Sequence, residues 1–550
     1  MKRFAALFTR LDETTKTNRK VAAMVDYFRQ VDSEDAAWAT YFLCGRRLRL
    51  PVPTRMLREL AAQRAGIDDW LFDESYQAVG DLAETISLIV PPGPLDGDRS
   101  LTYMVQQVIE PMRQLCEEQQ RIAIDQLWQQ TSGAERLVAM KLITGSFRVG
   151  VSRGLVTRSV AEASGIPAET IAHRLMGNWQ PSAEFYGRLT DPDTSDTLHS
   201  QPYPFCLAHP LAGLNATDNE AEEGSAISAV QALGTPGQFL IEWKWDGIRG
   251  QVIRRGGETF VWSRGGELME ARWPEIEMAA THLPDGTVID GEILAVAAGQ
   301  VLPFTQLQRR INRKQVGKKL MQEVPVQFRA FDLLEYGGED LRELPLRERR
   351  RQLDQLLEPI AHPSLVPTEL HVADDWEKLV AVRATSRQFQ AEGLMLKDVE
   401  SPYHVGRVRG GWWKWKVEPY TIDAVLIYAQ GGHGRRANLF TDYTFAVWRG
   451  EELVPFAKAY SGLSDAEIRQ VDRFVRANTL ERFGPVRSVR PQLVMELAFE
   501  GLQPSTRHKS GLAVRFPRIA RWRQDKGPQQ ANTLEELLEL ANVNSASDPQ

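Results

Sequence analysis

The stretch Gln238-Phe-Leu-Ile-Glu-Trp-Lys-Trp-Asp-Gly-Ile-Arg249 decides how the rest of the chain is interpreted. The apolar residues near its start predict a short buried strand, which Gly247 ends. This strand delivers Lys244 to a loop exit, among carboxylates and an arginine. A lysine nucleophile reacts as the neutral amine, a form that a neighbouring cation such as Arg249 favours. The stretch therefore predicts a reactive lysine. The alternative is a solvated strand-end lysine that pairs with Asp246.

The run from Lys244 to Arg249 resembles the Lys-x-Asp-Gly-x-Arg motif of the covalent nucleotidyltransferases. This superfamily contains DNA ligases, RNA ligases and mRNA-capping enzymes. The resemblance implies that Lys244 forms a phosphoramidate with AMP or GMP. Two tryptophans, Trp243 and Trp245, flank the lysine where smaller or β-branched residues are expected.

Composition limits the class of protein. The 550 residues predict three or four domains, and no apolar run approaches the ~18 residues that span a bilayer. The cysteines Cys44, Cys116 and Cys206 are too few for a four-cysteine zinc site and are typical of a reducing compartment. The net charge of −6 argues against a protein that simply coats nucleic acid. We expect a cytoplasmic protein, nucleoid-associated in a bacterium, that does not bind membranes.

The order of periodic segments predicts a multidomain α+β protein. Helical patterns fill residues 1–200, and strands interleaved with few helices indicate an antiparallel α+β domain at 201–420. Residues 421–530 predict a small β domain compatible with an OB-fold barrel. Residues 531–550 predict a leucine-rich helix followed by a polar C-terminal tail.

Two stretches of the helical region resemble the DNA-binding domain of large ATP-dependent DNA ligases. They are residues 12–20 and the run Thr144-Gly-Ser-Phe-Arg-Val-Gly-Val151. The resemblance implies that Arg148 and nearby backbone amides contact a DNA phosphate backbone. The alternative is a tight helix–helix connection.

Further motifs follow Lys244 in the order that the superfamily places them. The run Ser263-Arg264-Gly-Gly resembles the second motif and implies that Arg264 contacts phosphate, including the 5′-phosphate of a nick. Asp290-Gly-Glu292 resembles the third, which implies that Glu292 binds the ribose and that both carboxylates help to hold a metal ion. Phe331 would stack on adenine. The alternatives are a polar strand edge and a core aromatic residue.

The fourth and fifth motifs contribute a carboxylate and several cations. Glu392-Gly-Leu-Met-Leu-Lys397 resembles the fourth, with Glu392 as a metal ligand and Lys397 interpreted as structural. The resemblance implies that Arg409, Lys414 and Lys416 grip the α-phosphate and the departing pyrophosphate. By analogy, Glu242 lies against the adenine edge. The alternative for the strand around Lys414 is a half-buried strand whose lysines face solvent.

The sixth motif lies in the predicted β domain. Arg515-Phe-Pro-Arg518 and Arg523-Gln-Asp-Lys526 resemble it, which implies that Arg518, Arg523 and Lys526 orient the β- and γ-phosphates of ATP. The resemblance also assigns Arg249 and Arg264 to both nucleotide and DNA. Six motifs in order outweigh the separate alternatives.

The features around the core select among relatives. Capping enzymes lack a large helical DNA-binding domain, and NAD-dependent ligases carry a four-cysteine zinc site. The chain is therefore identified as a member of the ATP-dependent DNA ligases. The resemblance implies ATP and Mg²⁺ as cofactors, with Mn²⁺ as a substitute, and nicked duplex DNA as substrate.

The same resemblance implies a monomeric enzyme that serves replication, repair or recombination. Lys244 would take AMP from ATP, pass it to the 5′-phosphate of a nick and release it when the 3′-hydroxyl attacks. Two alternatives remain open: an RNA-joining ligase, and a non-catalytic DNA-binding scaffold in repair.

Overall fold

A computed structural model describes the chain, and it divides into two compact units. The terminal unit comprises Met1–Ala168, Gln180–Pro192 and Pro419–Gln550, and the central unit comprises Glu169–Trp179 and Asp193–Glu418. No helix among the described residues is long and apolar enough to cross a membrane. The described residues are 1–49, 51–93, 99–131, 133–177, 179–194, 199–211, 223–269, 271–311, 313, 315–432, 438–506 and 508–545.

The N-terminal part of the chain is helical, as predicted. Aromatic side chains form much of its core, with the rings of Phe4 and Phe147 stacked at a centroid separation of 5.4 Å. The carboxylate of Asp35 accepts hydrogen bonds from the amides of Leu101 and Thr102, which holds two helices together. The helices are α1 (Lys2–Asp12), α2 (Thr17–Phe28), α3 (Ser33–Leu43), α4 (Thr54–Ala65), α5 (Asp69–Val79), α6 (Leu82–Ile89), α7 (Leu101–Tyr103, continuing as a π-helix at Met104–Ile109 and a 3-10 helix at Glu110–Gln114), α8 (Glu117–Gln130), α9 (Gly133–Ile143), α10 (Arg153–Ser164), α11 (Ala168–Arg174) and α12 (Ala183–Thr190).

The central unit contains two sheets whose pairing is mostly antiparallel. Its strands are β1 (His209–Pro210), β2 (Phe239–Trp245), β3 (Ile248–Arg255), β4 (Glu258–Ser263), β5 (Thr287–Ala297), β6 (Gln300–Val301), β7 (Val326–Tyr336), β8 (Glu339–Asp340), β9 (Leu365–Pro367), β10 (Ala391–Asp398) and β11 (Trp412–Lys416). One sheet has the order β1-β11-β10-β2, and the other has β4-β3-β5-β7-β8, with β6 beside β5 and β9 beside β7.

Helices pack against these sheets and complete the predicted α+β architecture. They are α13 (Glu223–Gln231), α14 (Pro274–Ala280), α15 (Phe304–Ile311), α16 (Lys318–Glu323), α17 (Leu346–Leu357) and α18 (Trp376–Ala384), with 3-10 turns at Pro236–Gln238 and Ser386–Phe389. The main core lies between β3, β5 and β7 and helices α14 and α17. A smaller core around Trp376 and Trp415 supports the first sheet.

The C-terminal part of the terminal unit is a curled β domain, as predicted. It consists of β12 (Tyr420–Gly431), β13 (Phe440–Arg449), β14 (Glu452–Ala459), α19 (Asp465–Asn478), β15 (Thr479–Phe483), β16 (Val486–Val489), β17 (Val494–Phe499), β18 (Gly501–Pro504), β19 (Leu512–Arg515), β20 (Arg518–Trp522), a 3-10 turn at Pro528–Gln530 and α20 (Leu534–Ser545). The main sheet has the order β14-β13-β12-β16-β15, and β17 joins β12 to β20. The short strands after residue 478, apart from β17, were not anticipated from the sequence.

The predicted C-terminal helix belongs to the core of this β domain. Leu534 and Leu537 of α20 are buried among the apolar side chains of β12, β13 and β17. The last five residues of the predicted tail, 546–550, lie outside the described residues. The domain boundaries proposed from the sequence remain predictions.

One buried ion pair ties α17 to the central sheet. The Arg349 guanidinium donates to both carboxylate oxygens of Asp332 at 2.7 and 2.9 Å, and neither side chain is exposed. Removing one partner would leave the other as an uncompensated buried charge.

We expect Arg349→Leu to lower the free energy of unfolding by about 3–5 kcal/mol, the range found when a buried pair loses one partner. Urea unfolding followed by tryptophan fluorescence measures the effect. The matched control is Arg351→Leu on the same helix, whose partner is Glu348 and whose side chain is 55% exposed. Surface pairs contribute little, so equal effects of the two variants would contradict this account.

Candidate active site

Strand β2 carries Lys244 to a cluster of charged side chains. Its Nζ lies 2.6 Å from Oε2 of Glu392, the residue next to the start of β10, and the lysine side chain is 22% exposed. Lys244 is thus paired across the sheet with Glu392, and the alternative of a merely solvated lysine is not supported. The flanking Trp243 and Trp245 are buried among the apolar residues of the smaller core. Their position explains why large apolar side chains flank the lysine.

Glu392 is shared by two lysines. Besides Lys244, the Lys416 ammonium lies 3.1 Å from Glu392 Oε2. Burial alone would raise the pKa of Glu392, but the two ammonium groups outweigh it and lower this pKa to about 2. An irregularity in β10 at Gly393 helps to place Glu392 between the two lysines. Gly393 has φ of 139°, and a Cβ added there would lie 2.2 Å from the Trp415 carbonyl oxygen. Only glycine fits beside Glu392.

Glu292 lies near the same cations as Glu392, but its pKa is shifted in the opposite direction. Burial raises its pKa to about 8, although the nearby Lys244, Arg249 and Arg264 lower it. Strand pairing places Glu292 opposite Arg249 in the second sheet. Gly247 makes the close approach between the sheets possible, because a Cβ there would lie 2.5 Å from the Ile293 carbonyl oxygen.

Arg249 is held inside the site by one carboxylate and a phenol. It donates to Asp290 Oδ1 at 3.1 Å and to Oδ2 at 2.7 Å, and the Tyr403 hydroxyl donates to Oδ2 at 2.5 Å. The guanidinium carbon also lies 5.3 Å from the ring centroid of Phe331 and 5.4 Å from that of Trp412. Asp290 is fully buried, with both oxygens engaged. This geometry favours a role for Asp290 in orienting Arg249, rather than the predicted role of Asp290 as a metal ligand.

The predicted adenine residues meet at a buried lysine. Glu242 is 3% exposed and forms an ion pair with Lys397, which is 1% exposed. The Lys397 ammonium also lies 3.5 Å from the ring centroid of Phe331 and 4.3 Å from that of Trp412. Burial lowers the pKa of Lys397, and the Glu242 carboxylate opposes that shift.

Sequence reasoning missed two contributors to this arrangement. Lys397 is interpreted as structural from the sequence, but Met395 of β10 pairs with Glu242, and Lys397, two residues further on, lies on the same face of the sheet. Tyr403 carries no motif of its own, and its contact with Asp290 depends on tertiary structure alone.

Of the remaining predicted cations of the central unit, Lys414 and Arg264 are close enough to the cluster to interact with it electrostatically. Lys414 is on β11, and burial together with the nearby Lys244 and Lys416 lowers its pKa. Arg264 is exposed just after β4, and its amide donates to the Arg249 carbonyl at 2.9 Å. Arg409 is exposed shortly before β11.

The sixth-motif residues belong to the terminal unit. Arg518 pairs with Glu500 at 3.3 Å, and Arg523 and Lys526 both pair with Asp423. Arg148 also lies in this unit, exposed on the connection between α9 and α10. Lys20 donates to the carbonyls of residues 149 and 150 at 2.8 and 2.9 Å, which fixes the loop beside Arg148.

The described residues contain no preformed metal centre. In the described parts of the chain, no three His, Cys, Asp or Glu side chains come together as a metal site. Glu292 and Glu392 are two carboxylates on neighbouring sheets. A Mg²⁺ ion that also binds substrate phosphates needs only one or two protein carboxylates.

Family models match three successive parts of the chain. The model for the DNA ligase N terminus matches residues 1–161, that for the ATP dependent DNA ligase domain matches 221–416, and that for the ATP dependent DNA ligase C terminal region matches 436–526. The matched middle segment contains Lys244, Glu292 and Glu392.

Known proteins resemble the chain over nearly its whole length. A probable DNA ligase of Koribacter versatilis (strain Ellin345) is 33% identical over 560 residues, covering 96% of this chain and 94% of that protein. A DNA ligase of Thermococcus fumicolans is 27% identical and covers 98% of this chain and 97% of that protein. The solved structure described as "Pmar-Lig_Pre" has a TM-score of 0.57 at 16% identity, covering 95% of this chain and 99% of that one, which shows a shared fold.

The raised pKa of Glu292 predicts a pH-dependent stability. Its folded-state pKa of about 8 lies above the ordinary value of 4.5, so folding takes up a proton between these pH values. This group's contribution to stability is therefore lost progressively as pH rises through that window. We expect Glu292→Gln to gain stability relative to the wild type between pH 5 and pH 8. The measurement is the difference in melting temperature between Glu292→Gln and wild type at each pH. A difference that is the same at pH 5 and pH 8 would contradict the assigned burial.

Proposed function

This chain belongs to the family of ATP-dependent DNA ligases, and we propose that it seals nicks in duplex DNA through an AMP adduct on Lys244. The single observation that carries the proposal is the contact between the Lys244 amine and Glu392 at 2.6 Å. A lysine held by a carboxylate that is 19% exposed, with Lys414 and Lys416 close by, is arranged to meet the phosphates of a nucleotide.

In the first step, the neutral Lys244 amine attacks the α-phosphorus of ATP: the N–P bond forms, the bond to pyrophosphate breaks and Nζ gives up a proton to solvent. Glu392 orients the amine and is not the base, because a carboxylate with a pKa of about 2 is a weak proton acceptor. Lys414 and Lys416 bind the α-phosphate and pyrophosphate, and their charge stabilises the transition state. Arg518, Arg523 and Lys526 orient the β- and γ-phosphates.

The base and ribose of ATP are recognised by the buried side of the site. We assign Phe331 to stacking on adenine and Glu242 to the adenine edge, with Lys397 holding Glu242 in place. Glu292 binds the ribose hydroxyl. Arg249 contacts the nucleotide from a fixed position, since Asp290 grips its guanidinium on two nitrogens.

In the second step, AMP passes from Lys244 to the 5′-phosphate of the nick. In the third, the 3′-hydroxyl attacks that phosphate, the strand is sealed and AMP leaves. Arg264 is exposed at the rim of the site and is assigned to the 5′-phosphate, together with Arg249. Arg148 contacts the duplex backbone from the helical region.

A divalent cation fits between Glu292 and Glu392, although Glu392 also holds the ammonium groups of Lys244 and Lys416. Burial raises the pKa of Glu292 to about 8, and a bound dication would favour its ionised form. We propose that Glu292 and Glu392 hold Mg²⁺, or Mn²⁺ in its place, together with phosphate oxygens. The ion would neutralise charge that develops on the phosphates.

The proposal extends to the state and setting of the enzyme. We propose that it acts as a monomer on nicked duplex DNA. Because its substrate is DNA, its place of action is the compartment that holds DNA, which in a bacterium is the cytoplasm with its nucleoid.

The first experiment tests the adduct. We expect wild-type protein with Mg²⁺ and α-labelled ATP, without DNA, to retain label after denaturation, whereas Lys244→Ala retains none. GTP and NAD, labelled likewise, should leave no label. The matched control is Lys378→Ala, an exposed lysine of the same unit whose side chain is 62% exposed. A labelled Lys244→Ala, or unlabelled wild type, would contradict the assignment and favour a binding scaffold.

The second experiment tests the DNA contact of the helical region. We expect Arg148→Ala to weaken binding to nicked duplex and to lower the slope of log K against log[salt] by about 1, since one phosphate contact is lost. Adenylation without DNA should not change. Arg55→Ala serves as control, because Arg55 is an arginine of the same region that is 91% exposed. Identical salt slopes in the two variants would remove Arg148 from the interface.

A further inference from the structure

We propose that Asp423 is a positioning residue for the first chemical step. Its carboxylate holds Arg523 and Lys526 side by side, in the orientation in which they receive the β- and γ-phosphates of ATP. The inference rests on the proposed function, which assigns these two cations to the triphosphate.

Asp423 contacts both cations directly. Arg523 Nη1 donates to Asp423 Oδ2 at 2.9 Å and to Oδ1 at 3.2 Å, and Lys526 Nζ donates to Oδ2 at 2.5 Å. Two positive charges three residues apart in a turn repel each other. A carboxylate placed between them removes that repulsion and keeps both on one side of the turn.

The carboxylate is itself fixed on a rigid part of the fold. Asp423 is 5% exposed and lies on β12, where it pairs with Glu496 of β17. Its amide donates to the Asn532 side chain at 2.7 Å, and its carbonyl accepts from the Asn532 amide at 2.9 Å. The backbone of Asp423 is thus held by β17 on one side and by the segment before α20 on the other.

Arg523 is also held from a second direction, whereas Lys526 is partly open to solvent. Asp525 accepts from Arg523 Nε at 3.0 Å and from Nη2 at 2.7 Å, so that the planar guanidinium is gripped along two edges. The Lys526 side chain remains 31% exposed, whereas that of Asp423 is only 7% exposed. Lys526 can therefore reach a phosphate that the Asp423 carboxylate cannot touch.

This arrangement explains why a carboxylate sits beside groups that bind an anion. Arg523 and Lys526 carry two positive charges, and Asp423 and Asp525 carry two negative charges, so the carboxylates order the cations without adding to their charge. Side chains that are already ordered lose less conformational freedom when they bind. Asp423 therefore contributes by fixing the positions of the two cations before ATP binds.

The test compares two reactions of the full-length protein. We expect Asp423→Asn to lower kcat/KM for self-adenylation with ATP by about tenfold, the effect of one lost charged hydrogen bond. Sealing of a nick that already carries AMP on its 5′-phosphate should stay within about twofold of wild type, because no pyrophosphate takes part in that reaction. Asp472→Asn is the matched control. It removes a carboxylate of the same domain that is also buried and pairs with Arg476 at 2.8 Å, and it should change neither reaction.

A double-mutant cycle separates positioning from a structural role. If Asp423 acts through Lys526, Asp423→Asn should cost clearly less in a Lys526→Met background than in wild type. Equal losses in adenylation and in sealing of the pre-adenylated nick would overturn the inference and assign Asp423 to stability. If Asp423→Asn adenylates itself as well as wild type while Lys526→Met loses adenylation, the inference about Asp423 is overturned and the assignment of the sixth motif stands. Wild-type adenylation by Lys526→Met would remove the assignment of the sixth motif as well.

Discussion

The register of β2 against β10, and of β10 against β11, is the constraint on which the candidate site depends. Met395 pairs with Glu242 on one side and with Lys414 on the other. This pairing, with the irregularity at Gly393, brings Glu392 between Lys244 and Lys416. A slip of one residue would turn each of these side chains to the opposite face of the sheet. The tryptophans of β2 and β11 that form part of the smaller core hold the register, because they lie on the face of the sheet opposite the charged residues.

Two carboxylates in this site show how environment sets charge. Burial raises the pKa of Glu292 to about 8, whereas two ammonium groups lower that of Glu392 to about 2 despite its burial. The two carboxylates therefore differ in protonation: near neutral pH Glu292 binds a proton and Glu392 stays ionised between its two lysines. The environment also fixes Arg249, because Asp290 and the surrounding aromatic rings hold its guanidinium in place.

Much of the fold and of the site was predictable from local pattern. Helical patterns identified residues 1–200 as helical, and interleaved strand patterns identified residues 201–420 as an antiparallel α+β domain. The short strands β15, β16 and β18–β20 escaped notice, because their side chains are largely exposed or intermediate and show no clean alternation. Lys397 and Tyr403 escaped for a different reason: each acts through a partner distant in sequence.

By itself, the sequence determined the identity and order of the motifs, the class of each segment and the family. These are local properties, because a motif needs only residue types at a fixed spacing. Only the tertiary structure decided which carboxylate Lys244 pairs with and that Asp290 forms an ion pair with Arg249. It also decided that Asp423 holds two cations a hundred residues away. The physical reason is that partner choice and burial depend on strand pairing between distant segments, and burial in turn sets the charge of each group.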